Sequence, residues 1–168
     1  MRAQALEGSR RADLLALIGF LALCLLVGAV GGLVTSSSLG SWYPDLRKPS
    51  FNPPNGVFGP VWTTLYVLMA IAAWRVFRRR DAGRLRRTGL ALWGVQLALN
   101  LGWSCLFFGL RSPAAALVEI PILFAAIAAT AVVFWRVDRP AGLLLVPYLA
   151  WVAFATVLTF EIWRLDPA

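Results

Sequence analysis

The run Leu14–Pro44, LLALIGFLALCLLVGAVGGLVTSSSLGSWYP, carries no charged side chain, and it is not alone. Pro49–Trp74, Thr88–Leu110 and Ala141–Phe160 are also uncharged, and Ser112–Trp135 is interrupted only by Glu119. Each stretch is about 20 residues or longer, enough for a helix to cross a bilayer's hydrocarbon core. Hydrophobic residues make up 60% of the chain, against roughly 45–50% in a soluble domain. These runs predict an all-α fold: an integral membrane bundle of five transmembrane helices, with a long loop between helices one and two. Residues 1–12 read as a basic N-terminal tail, and 13–165 as a single transmembrane domain.

Arg10-Arg11 before the first span resemble the start of a signal peptide, but the apolar run is too long for one and no small-residue cleavage site follows. We read it as a retained span. The net charge of +8 is explained by its distribution. The amino terminus and the 75–87 and 136–139 connections hold twelve of the sixteen Lys and Arg residues, all on one side of a five-span topology. The positive-inside rule makes that side, and the amino terminus, cytoplasmic. The cluster Arg78-Arg79-Arg80, Arg84, Arg86-Arg87 is therefore a topology signal, and no nucleic-acid partner is expected.

The 42–57 connection then faces the opposite side. It begins with Trp42-Tyr43 and is studded with prolines (Pro44, Pro49, Pro53-Pro54), so it reads as a rigid lid leading directly into Phe58–Tyr66. Helix one is expected over 13–35, ending at Thr35–Ser38, and helix two from Phe58 to Arg75. Ser112-Pro113 supplies an N-cap and a first-turn proline for helix four. Pro121 and Pro147 are expected inside helices four and five. Gly28 and Gly32 allow a close backbone approach.

Helix three has two distinct faces. Gln96, Asn100, Trp103 and Phe107 recur at spacings of four, three and four, so they share a side, and buried amides need partners in hydrocarbon. Ala91, Gly94, Ala98 and Gly102 line the other side, which suits a homodimer contact; packing within one bundle is the alternative reading. Glu119 lies about two turns into helix four. It is read either as a ligand-polarising or proton-linked group, or as a structural hydrogen bond to another helix or a group near enough to the surface to reach water. Trp74, Trp135 and Trp163 fit interfacial belts, and Trp93 is expected to face lipid. Trp42, Trp62, Trp103 and Trp151 suit a pocket for a large flat apolar ligand such as a tetrapyrrole. Cys24 and Cys105 read as buried packing residues. The chain has no histidine, which excludes an imidazole haem ligand, a His-based triad and a His-bound zinc. No metal site or required cofactor is expected.

Several motifs in order carry a family likeness: Trp42-Tyr43, Lys48-Pro49, Pro53-Pro54, Phe58-Gly59-Pro60-Val61-Trp62 with Leu65-Tyr66, Gln96–Asn100 with Trp103 and Phe107-Phe108-Gly109, and Pro147–Trp151 with Phe154-Ala155-Thr156. Over about residues 14–165 the chain resembles the TspO/MBR family of tryptophan-rich sensory and translocator proteins. The resemblance implies a commonly dimeric five-helix bundle binding porphyrins, sterols and benzodiazepine-type ligands. By motif, the implied pocket is Gly31, Gly32, Trp42, Phe58, Val61, Trp62, Asn100, Trp103, Phe107, Glu119, Ile122, Trp151, Ala155 and Leu158. Some members degrade protoporphyrin in light, and Trp62 and Trp151 match the tryptophans linked to that chemistry. Phe51 departs from a common tryptophan, Ala115 from a tryptophan of animal members, and Phe160 from the tyrosine of a proposed cholesterol motif. The expected function is a membrane receptor or sensor for tetrapyrroles, with porphyrin or sterol transport and light-dependent porphyrin degradation as alternatives.

Overall fold

The structure, a computed structural model, describes residues 2–166, with side chains from Arg11 onward. Six α-helices make up most of it: α1 (Arg2–Leu39), α2 (Asn55–Arg78), α3 (Gly83–Ser104), α4 (Pro113–Val137), α5 (Arg139–Leu143) and α6 (Val146–Leu165). Five spans are long and apolar enough to cross a membrane, the third extending to Gly109 and the fifth combining α5 with α6. The described residues contain no strand, as expected where the lipid offers backbone groups no partners. Helix α1 begins well before residue 13, so no break separates the expected tail from the first span.

The spans close into a ring. Helix α1 packs on α2 and α3, α3 on α4, and α4 on α5 and α6; α5 returns to α2. Helices α2 and α6 hardly approach one another by backbone. The fifth span therefore meets α2 at the arginine-rich end and leaves it toward the loop end. At the closed end Met69, Ala70, Ala73, Val76, Trp93, Ile127 and Phe134 form a buried core. Gly142 is essential to that closure, because a Cβ there would sit 2.8 Å from the Trp135 backbone.

A buried ion cluster clamps the same end. Asp138, between α4 and α5, has a side chain only 2% exposed. It accepts from Nε of Arg75 at 2.6 Å and from Nη2 of Arg79 at 2.5 Å. Burial pushes the Asp138 carboxyl up, but the hydrogen bonds and charges of Arg75 and Arg79 outweigh this and hold it below the ordinary aspartate value. Arg79 is correspondingly raised, first through its hydrogen bond to Asp138. Arg78 pairs with Asp13 at 3.0 Å, tying α1 to the same corner.

Several expected boundaries move for identifiable reasons. Ser36 and Ser37 do not stop α1; their hydroxyls donate back to the carbonyls of Leu33 and Val34, so the helix runs on to Leu39. Ser112 accepts from the Ala115 amide and caps α4 as its sequence predicts. Pro121 lies inside α4. Pro147 does not lie inside a helix: the fifth span breaks at Leu144–Leu145, and the proline occupies the first turn of α6, where its missing N–H has no intrahelical role. Trp93 does not face lipid. It is 4% exposed, edge-on to Phe20 at 5.3 Å, because it lies three residues before Gln96 on the inward face.

Candidate functional site

Divergence of α2 from α6 leaves a cavity of about 560 Å³ at the loop end, within the size range of small-molecule sites. Helix α1 contributes Gly28, Gly31 and Gly32; α2 contributes Phe58, Trp62 and Tyr66; and α6 contributes Trp151, Ala155 and Leu158. Asn100 and Trp103 of α3 form the back wall with Phe107. The Trp103 and Phe107 rings stack at 5.1 Å and 19°, while Phe58 and Trp151 meet edge to face at 5.8 Å.

A five-residue π-helix, Cys105–Gly109, follows α3, with the Leu110 amide donating to the Cys105 carbonyl at 2.8 Å. The wider turn brings both Phe107 and Phe108 onto the cavity wall, the kind of local irregularity common at functional sites. The Ser38 hydroxyl donates to the Phe108 carbonyl at 2.6 Å, anchoring the end of α1 to this segment.

The loop is tied down as a cap. Tyr43 is 4% exposed and packs on Phe107 and Phe108, and Trp42 meets Phe107 at 5.7 Å. Burial raises the Tyr43 phenol, opposed by its hydrogen bond to Asn52. The Lys48 ammonium donates to the carbonyls of Tyr43, Pro44 and Leu46 at 2.6, 3.2 and 2.8 Å. It also sits 4.6 Å from the centre of the Tyr43 ring. All three ammonium protons thus have partners, and one side chain holds the loop's first turn in shape.

The cavity's wall is mainly apolar and aromatic, and none of the described residues on it is charged. The Tyr66 hydroxyl donates to Oδ1 of Asn100 at 2.5 Å, and the Asn100 amide donates to the Tyr148 hydroxyl at 3.0 Å. Thr63 and Thr159 donate to carbonyls of their own helices. Nε1 of Trp103 is buried without a partner among the described residues, and Thr35, Asn55 and Ser104 add polar side chains to the wall. No group of three metal-ligating residues occurs among the described residues. The arrangement suits a large planar apolar molecule held by stacking and few hydrogen bonds.

Ten residues named from sequence come together here: Gly31, Gly32, Phe58, Trp62, Asn100, Trp103, Phe107, Trp151, Ala155 and Leu158. Four do not. Trp42 packs on the Phe107 ring but does not border the cavity, and Val61, one helical step from Trp62, turns into a separate recess between α2 and α6. Glu119 and Ile122 lie on α4, which contributes nothing to the cavity because α3 and α6 stand in between. Ile122 is 56% exposed on the outer side. Both carboxyl oxygens of Glu119 are buried without a hydrogen-bond partner among the described residues, so of its readings the interhelical hydrogen bond and the contact with water are not seen. Sequence reasoning missed Tyr43, Tyr66, Phe108 and Phe154 on the wall. Tyr66 and Phe154 follow Trp62 and Trp151 by four and three residues, the helical spacing that was available to find them.

These features define a class: a small multi-pass membrane bundle with an intramembrane aromatic cavity under a loop cap. The chain belongs to the TspO/MBR family, whose profile matches residues 20–164. It is 46% identical over 145 residues to the tryptophan-rich protein TspO of Chlorobaculum tepidum, covering 86% of this chain and 92% of that one. It is 41% identical over 147 residues to a tryptophan-rich sensory protein of Cereibacter sphaeroides, covering 88% and 89%. Similarity extends to the human translocator protein, 43% identical over 124 residues and 73% of each chain.

Proposed function

We propose that this protein is a membrane receptor that binds tetrapyrroles, protoporphyrin foremost, in the cavity beneath the 40–54 loop, and so influences their handling. The observation that carries the reading is the convergence of Trp62, Trp103 and Trp151 from three helices on one uncharged cavity. Porphyrin propionates would find no cation on that wall, so the macrocycle enters ring first with its carboxylates toward the loop mouth. Sterols are the competing ring system, and Phe160 in place of the motif tyrosine favours the porphyrin. In this reading the amino terminus is cytoplasmic and the loop faces the other side.

The protein acts as a homodimer in this proposal. Ala91, Gly94 and Ala98 form an exposed strip on α3, and a Cβ on Gly94 or Gly102 would meet nothing within 4 Å. A second copy's helix fits such a strip. Titration of purified protein with protoporphyrin, followed by tryptophan fluorescence, tests the receptor reading: saturable quenching weakened by Trp151→Ala is expected. Non-saturable quenching indifferent to that substitution refutes it.

One observation favours a second reading, light-dependent porphyrin degradation: Trp62 and Trp151 border the same cavity from different helices, within reach of one bound macrocycle. Loss of the Soret band under illumination in air, abolished by Trp62→Phe or Trp151→Phe, is its test.

A further inference from the structure

The ring of Trp151 is a wall shared by two spaces. On its inner side lies the cavity just described. On its outer side, between α2 and α6, lies a second recess of about 570 Å³, lined by Pro60, Val61, Thr64 and Leu68 of α2 and by Pro147 and Ala150 of α6. Trp151 and Phe154 border both spaces. The recess runs roughly 8–20 Å along α2 from its loop end, at 1.5 Å per residue, so it faces hydrocarbon. The Thr64 hydroxyl on its wall is already committed to the Pro60 carbonyl, and Pro60 and Pro147 have no N–H.

The seam between the two spaces is made of rings, because the α2 and α6 backbones stand apart. Its rings are not equally fixed. Tyr148, 6.2 Å from Trp62, is fully buried and hydrogen-bonded to Asn100. Trp151, one turn nearer the loop, is half-buried and held by ring contacts with Phe58 and Phe154 at 5.8 and 5.6 Å. Among the described residues its indole makes no hydrogen bond. Moving Trp151 outward breaks one edge contact, one tilted ring contact and apolar packing but no hydrogen bond, and the recess behind it provides the space. Moving Tyr148 leaves an amide unpartnered in hydrocarbon.

We propose that Trp151 is a side gate. Its ring swings into the recess, the two spaces merge, and a lipophilic ligand passes between the bilayer and the cavity without crossing the Lys48-tied cap. This deepens the receptor reading and rests on it. Thr64 and Ala150 are exposed on the recess and border no part of the cavity, so Thr64→Leu and Ala150→Leu fill the gate's parking space while leaving the binding wall intact. Stopped-flow quenching by protoporphyrin, with protein in lipid nanodiscs, reads the effect. Association and dissociation should both slow by roughly tenfold in each variant, with little change in Kd, the mark of an altered passage and not an altered site. Unchanged rates in both variants, or a changed Kd at an unchanged association rate, overturn the gate. Absence of saturable binding in the wild type overturns the receptor reading itself, a separate result.

Discussion

Asp138 offers the sharpest test of how the ring of spans is closed. Asp138→Asn keeps the shape and removes the charge that Arg75 and Arg79 share. Two bounds frame the loss. Removing one partner of a fully buried ion pair costs about 3–5 kcal/mol, and removing an exposed pair costs about 0–1 kcal/mol. Here the carboxylate is 2% exposed, whereas Arg75 and Arg79 are 35% and 51% exposed, so the abandoned guanidiniums can take up water or lipid phosphate. Weakening the four charge-assisted hydrogen bonds that Asp138 accepts from Arg75 and Arg79, under partial rehydration, puts the cost at about 2 kcal/mol, or a fall in Tm of roughly 4–8 °C for a chain of this size. The sign of the pH dependence follows from the lowered carboxyl. A group depressed in the folded state binds fewer protons there than in the unfolded chain, so its stabilisation is fully present above the ordinary aspartate value of about 3.9. It disappears as pH falls through the lower, folded value. Thermal unfolding in detergent should therefore separate wild type from Asp138→Asn at pH 7, with the gap narrowing progressively as pH falls below the ordinary aspartate value. A gap within error at pH 7, or one that persists undiminished in acid, refutes the clamp.

Tyr66→Phe should lower stability by about 1–3 kcal/mol, since it leaves Oδ1 of Asn100 buried without its donor; detergent thermal melts would register it. Gly28→Leu should destabilise by about 1–3 kcal/mol through overpacking, because a Cβ there lies 2.7 Å from the Tyr66 ring, whereas Gly32→Ala, with nothing within 4 Å, should melt like wild type. Lys48→Met removes three hydrogen bonds from the cap; amide exchange should quicken in residues 40–54 and stay unchanged in α4. Gly94→Leu should shift the protein from dimer to monomer in cross-linking, if the strip on α3 is the contact proposed above.

What the sequence made legible follows the physics of hydrocarbon. Charge-free runs have one stable form in a bilayer, so the number of spans could be read directly. The inward face of α3 was equally plain, because amides avoid open hydrocarbon: Gln96 is 1% exposed and Asn100 3%, although only Asn100 has both amide ends hydrogen-bonded and Oε1 of Gln96 has no partner among the described residues. The reading stopped one step short at Trp93, where an apolar ring gives no sign of which way it faces. The π-turn at Cys105–Gly109 left no mark in composition, and its effect on Phe108 emerges only when α1 docks through Ser38. The break at Leu144–Leu145 was hidden too, since a proline in an apolar run looks the same in the middle of a helix as at its start.

Glu119 and Ile122 teach a different lesson. Both were carried over by family likeness, and both sit on the one complete span that the cavity does not touch. Glu119 nonetheless lies in hydrocarbon with both oxygens buried and unpartnered, the costliest way to keep a carboxylate in a membrane. The inward residues of α4 are Ala116, Ile120, Leu123 and Ile127, and Glu119 stands 100° off Ile120, toward a seam that α4 shares with its neighbours. A ligand in the cavity reaches that seam only through α3 or α6. The Glu119 carboxyl acts electrostatically on Tyr148, which holds Asn100 on the cavity wall, so its influence on binding is indirect, through that contact and the packing of those helices, unlike that of the ring residues that face the ligand directly.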